Sequence, residues 1–196
     1  MKTSKIHDEF LLDSGRIFLW GEITEELAGK FTKELRYVMS KDITSIYVYI
    51  HSEGGEVDSA CAIVDEINGA KVLGYEIYTI AIGKAYSCAA FILAMGSQEC
   101  RYATENTSIM LHPVHYELPS DYIDAQRSYT AFSEQQYAAI IDMVAKACGR
   151  KSKKTRDSFH SEIKDGLWLD AKQATKKKVI DGIWDYSWEK EIDEEE

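Results

Sequence analysis

The sequence predicts an α/β fold built on a mostly parallel sheet, and three observations carry that reading. Runs rich in β-branched and aromatic residues at positions 16–19, 45–50 and 79–82 read as strands. Between them, apolar residues recur at three- and four-residue spacing, first Leu27, Phe31, Leu35 and Val38, then Ala60, Ile63, Val64 and Ile67. Strand and helix therefore alternate, the pattern of βαβ units.

Taken in order, residues 1–14 are polar and expected to be loosely ordered. A strand at 16–19 leads through Gly21 to a helix that Thr24 can cap, with Glu25 and Glu26 favourably placed in its first turn. The strand at 45–50 ends in a glycine-centred turn, His51-Ser52-Glu53-Gly54-Gly55, before the second helix. Strand material at 72–82 is interrupted near Gly74. It passes through a small-residue turn, residues 83–86, to Ser87 and an apolar helix over 88–95. A further apolar strand, Ile109-Met110-Leu111, closes on His112. Pro113 and Pro119 then bracket a loop, and one long helical pattern runs over 120–148, with Gly149 placed to end it. The basic stretch 150–156 reads as a solvated turn. Asp170 can cap a short helix over 171–178, residues 179–183 turn into a last short strand, and 189–196 form an acidic tail expected to be disordered.

Composition narrows the function. A chain of 196 residues suits one domain, here 1–196. The formal net charge of -10 argues against general affinity for nucleic acid or an anionic membrane. The longest apolar run, near 89–95, is too short to span a bilayer. The first residues lack a signal-peptide core, so the expected location is cytoplasmic. Cys61, Cys88, Cys100 and Cys148 lack CxxC spacing; buried free thiols are expected, with no zinc ribbon, other metal or organic cofactor.

Acyl transfer needs a nucleophile, a base, an orienting group and oxyanion donors. Ser87, at a strand-to-helix turn, can be the nucleophile and His112 its base. Read singly, Ser87 is a helix cap and His112 a structural residue; the pairing raises the catalytic reading. Gly54-Gly55 and the N–H of Cys88 can face an oxyanion. The G-x-S-x-G elbow is missing, which disfavours an α/β-hydrolase.

Three ordered blocks resemble the ClpP family, the proteolytic subunit of the ATP-dependent Clp protease. Ile50-His51-Ser52-Glu53-Gly54-Gly55, with Ala62-Ile63 and Asp65 in step, is similar to I-N-S-P-G-G-x-x-x-x-x-x-A-I-x-D. Residues 83–96, Gly-Lys-Ala-Tyr-Ser-Cys-Ala-Ala-Phe-Ile-Leu-Ala-Met-Gly, are similar to G-x-A-A-S-M-x-A-F-L-L-A-x-G. Residues 100–113 are similar to K-R-Y-A-L-P-N-S-x-x-M-I-H-Q-P. The likeness extends from about Arg16 to about Asp181.

The resemblance implies a ClpP/crotonase-like fold of stacked parallel βαβ units, with a protruding handle helix at 120–148. It also implies a serine endopeptidase that cuts unfolded polypeptides in stacked heptameric rings, fed by an AAA+ unfoldase of the ClpX or ClpA kind. Ser87 and His112 fall on the nucleophile and base, and the N–H groups of Gly55 and Cys88 on the oxyanion donors. The sequence departs from the family at His51 and Glu53, where asparagine and proline are usual, and in the acid block. There the acid position aligns with Gly166, and a one-residue insertion makes Asp165 the orienting carboxylate. The other readings are a catalytically weak or inactive ring subunit lacking the acid, and a crotonase-like acyl-CoA enzyme on the same fold.

Overall fold

A computed structural model of the chain describes residues 9–41, 43–113 and 123–186. The predicted end of the sequence (189–196), the first eight residues and the loop after Pro113 lie outside the described residues.

Residues 9–13 (α1) are helical, where loose order was expected. They lead to β1 (Arg16–Trp20), α2 (Glu25–Met39), β2 (Ser45–Ser52) and α3 (Val57–Val72). Then come β3 (Glu76–Tyr86), α4 (Cys88–Ala94), β4 (Arg101–Ala103) and β5 (Ser108–Leu111). α5 (Ile123–Ala147), α6 (Lys153–Ile163), β6 (Leu167–Asp170), α7 (Ala171–Lys176) and β7 (Gly182–Ile183) complete the chain. The predicted α/β architecture is thus observed. Strands β1, β2, β3, β4 and β7 lie side by side and parallel, β5 pairs parallel with β3, and β6 pairs antiparallel with β5.

Strand alternation divides the sheet into two faces. Ile17, Leu19, Ile46, Val48 and Ile50 bury against α2, α3 and α4, with Phe31, Leu35, Ile63 and Ile67 supplying the helix side. Each such fully buried side chain contributes about 1.5–3 kcal/mol. The alternate positions carry a second, aromatic cluster: Tyr47 stacks on Tyr78 at 4.7 Å and Phe18 on Tyr49 at 5.1 Å.

The helix ends follow the predicted chemistry. Thr24 Oγ1 accepts from the Leu27 N–H at 3.2 Å, and Asp170 and Gln173 form a reciprocal capping box. Gly149, at φ 78°, closes α5 in a Schellman turn, with Arg150 N–H bonding Ala145 O and Gly149 N–H bonding Lys146 O, both at 2.9 Å.

Elsewhere the structure corrects the sequence reading. Residues 83–86 are not a turn: β3 continues through them to Tyr86. Gly83, at φ 75°, bends the strand so that Thr79–Ala81 pairs with β4 and Lys84–Tyr86 with β5. The basic stretch 150–156 starts α6 instead of a solvated turn: Ser152 caps it, Arg150 bonds Cys148 O and Arg156 pairs with Asp142 at 2.5 Å.

Asp181, expected as a simple turn residue, holds Arg101 in a fork, with Nε to Oδ2 at 2.8 Å and Nη2 to Oδ1 at 2.5 Å. Arg101 also donates to Ala147 O at 2.9 Å, so one 4% exposed side chain ties β4 to the end of α5 and to the segment before β7. Asp181→Ala strands that cation. The expected loss is about 3–5 kcal/mol by equilibrium denaturation; a loss below about 1 kcal/mol contradicts the role given to the pair.

Candidate active site

The site is built where β3, the β2–α3 turn and β5 meet. Ser87 sits between β3 and α4 with φ 54° and ψ −123°, an unusual conformation for a residue with a Cβ. Its N–H bonds Met110 O at 2.8 Å and its carbonyl accepts from Phe91 N–H at 3.1 Å, so strand pairing on one side and helix on the other hold it there. Its hydroxyl makes no capping bond to α4. The bland reading of this serine, a helix cap, is therefore not what the side chain does. Such backbone strain costs about 1–3 kcal/mol and tends to persist where function requires it.

The Gly54-Gly55 turn lies directly against Ser87. A Cβ on Gly54 (φ 100°) would come within 2.7 Å of Ser87 Cβ and 2.8 Å of Tyr86 O. One on Gly55 (φ 152°) would come within 2.2 Å of Ile23 O. The turn is fixed from both ends. Gly54 N–H donates to the buried Ser52 Oγ at 3.0 Å, Ile23 N–H donates to Gly54 O, and Glu56 N–H donates to Ile23 O. Because the peptide is trans, the Gly55 N–H points opposite to Gly54 O and so away from Ile23. Among the described residues neither it nor the Cys88 N–H has a hydrogen-bond acceptor. Two unused donors thus flank the serine, as an oxyanion hole requires.

Cys88 helps to hold this arrangement. Its Sγ donates to Gly55 O at 3.3 Å, and burial pushes its thiol pKa up. The protonated thiol is a poor nucleophile, which leaves Ser87 as the nucleophilic side chain here.

His112 follows the last residue of β5 and is half-buried. It lines, with Ser87, Cys88 and Leu111, a small pocket of about 30 Å³. Val57, Phe91, Tyr137, Ile140, Ile141 and Val144 make the apolar remainder. The sequence reading missed Tyr137 and Ile141 on this wall. Their spacing with Ile140 and Val144 marks one face of α5, and that periodicity was the available signal.

Asp165 is exposed in the turn between α6 and β6, with no hydrogen bond or ion pair of its own. β6 nonetheless runs antiparallel to β5 with Leu111 opposite Leu167. Continued by one residue, that register sets His112 opposite Gly166, with Asp165 one step beyond. Gly166, at φ 87°, makes the bend between them.

The departures at His51 and Glu53 have a clear structural setting. His51 stacks on Trp20 at 4.5 Å, and its Nδ1–H donates to Ile82 O at 2.7 Å, which fixes the tautomer. Lys84 pairs with Glu53 at 2.5 Å and holds that carboxyl below its ordinary range. These residues, with Glu22, Gly54 and Gly55, line a groove of about 600 Å³ beside the unused donors. Among the described residues no three His, Cys, Asp or Glu side chains cluster to hold a metal, and no helix is long and apolar enough to cross a membrane.

Known proteins match this fold and site. A family model described as Clp protease matches residues 2–187. The chain is 30% identical over 175 residues to the ATP-dependent Clp protease proteolytic subunit of Carsonella ruddii (strain PV), covering 88% of this chain and 84% of that one. It is 29% identical over 174 residues to the protein of the same name from Streptococcus mutans serotype c (strain ATCC 700610 / UA159), covering 88% and 86%. With most of its length matched in this way, the chain belongs to the Clp protease family.

Proposed function

We propose that the chain is the peptidase subunit of a compartmentalised serine protease, with all 196 residues forming one domain. One observation carries the reading: Ser87 is held in a strained, non-capping conformation on the same pocket as His112, beside two donors without acceptors.

The chemistry follows from that arrangement. A polypeptide lies extended along Gly54-Gly55 with one side chain in the apolar pocket. Ser87 Oγ attacks the scissile carbonyl as His112 takes its proton. The Gly55 and Cys88 N–H groups bind the oxyanion. His112 returns the proton to the leaving amine, and water, activated by the same imidazole, releases the acyl group from Ser87.

Asp165 orients His112 once the Gly166 bend brings the carboxylate in. Asp165→Asn is then expected to lower kcat by about 10³–10⁴-fold at little change in KM. An unchanged kcat removes Asp165 from the mechanism and leaves a Ser–His dyad. The exposed, unpaired state of Asp165 favours a second reading, a ring subunit of low intrinsic activity.

Heptameric rings stack through α5, whose Ile123, Tyr129 and Phe132 are exposed along the chain. An AAA+ unfoldase of the ClpX or ClpA kind delivers unfolded polypeptides, in the cytoplasm. Hydrolysis of an unstructured fluorogenic peptide by the assembled protein tests the proposal. Turnover that Ser87→Ala abolishes supports it; turnover that survives this substitution, or none from assembled wild type, contradicts it.

A further inference from the structure

Two arginines are buried, and they differ in one respect. Arg101 has Asp181. Arg16, 9% exposed, has no hydrogen-bond or ion-pair partner among the described residues. A guanidinium stays charged at any working pH, and a buried charge without a counter-ion is strongly unfavourable. Its partner must come from outside the chain.

The surroundings indicate where that partner enters. Arg16 opens onto a cleft of about 210 Å³ formed by α1, β1 and α2, lined also by Leu11, Leu12, Phe18, Lys30 and Glu34. The one carboxylate in the lining is already engaged: Lys30 pairs with Glu34 at 3.2 Å. The rest of the lining is apolar, which strengthens any charge-assisted bond made inside it. An arginine fork suits a carboxylate bidentately.

Arg16 is also the first residue of an edge strand, since β1 pairs with β2 alone and β7 forms the opposite end of the strand order. A ring closes through heterologous contacts, in which one surface of each subunit meets a different surface of the next. The sequence has 33 acidic against 23 basic side chains, so an approaching copy presents an excess of carboxylates to an uncompensated cation.

We infer that the Arg16 cleft is a subunit contact that receives a carboxylate from a second copy of this chain. The inference rests on the ring assembly proposed above. A pair of this kind fixes the register of neighbouring subunits, the best-attested use of buried ion pairs.

The test uses the full chain. Native mass spectrometry across a range of subunit concentrations is expected to show Arg16→Met assembling only at about tenfold or higher concentration than wild type, a factor of about 1.4 kcal/mol. Arg16→Lys keeps the charge, guards against a folding defect, and introduces an amine. Treated with a carbodiimide in a mixture of ¹⁴N- and ¹⁵N-labelled subunits, it is expected to give a zero-length crosslink between copies. Rings of Arg16→Met that form at the wild-type concentration overturn the inference alone, as do links from the new amine confined to Glu34 of its own chain. A free-anion site overturns it too, and shows as phosphate stabilising the wild-type monomer while assembly ignores Arg16→Met. Wild type that stays monomeric at every concentration overturns the ring reading and the inference together.

Discussion

Ser87→Ala is expected to lower peptide hydrolysis by about 10⁴-fold or more while leaving the melting temperature nearly unchanged. The two outcomes follow from one observation. The hydroxyl makes no capping bond to α4, so its removal costs no structural hydrogen bond, yet it is the only atom proposed to attack the substrate. Ser87→Gly separates function from fold further. At φ 54° the serine carries strain that glycine does not. Relief of that strain, less the entropy cost of glycine, gives a gain of about 1 kcal/mol, or roughly 2–4 °C in Tm. A Ser87→Gly variant that is inactive but more stable is the signature of strain kept for catalysis. One that loses stability shows that the serine serves packing.

Gly55→Ala is expected to have the second-largest effect. The new Cβ would meet Ile23 O at 2.2 Å, which is backbone and cannot swing aside. The Ile23–Gly55 bridge must move, and with it the N–H assigned to the oxyanion. Loss of one such donor costs about 10²–10³-fold in kcat. The effect falls on kcat more than KM, because the donor acts on charge that develops only in the transition state. Activity within a few-fold of wild type would place the oxyanion elsewhere. Gly54→Ala meets Ser87 Cβ and Tyr86 O instead, so it displaces the nucleophile directly and should show as lost labelling of Ser87.

How legible this was depended on the range of the interactions involved. α2 was readable to its caps because the signal is local: Thr24 and the apolar positions Phe31, Leu35 and Val38 lie within fifteen residues of one another. The Ser87, His112 and Gly54-Gly55 blocks were readable because each is a short segment with its own spacing. β4 was not read as a strand, for it has three residues and exists only through its neighbours β3 and β7. β6 was read as the approach to a helix, and it is a strand because β5 supplies the partner. α6 buries only Phe159 and Ile163, too few for a periodic signal. Arg101 and Asp181 are 80 positions apart, and neither position hints at the other. Asp165 was found by alignment and then placed by strand register, but the sequence could not show that its side chain would lie exposed.

The account turns on whether Ser87 is a nucleophile activated by His112. The direct measurement is intact mass and peptide mapping after treatment of the assembled protein with a fluorophosphonate. The prediction is a single adduct per subunit on Ser87, lost in Ser87→Ala and strongly slowed in His112→Ala. An adduct on another residue, or no adduct on a properly assembled ring, contradicts it.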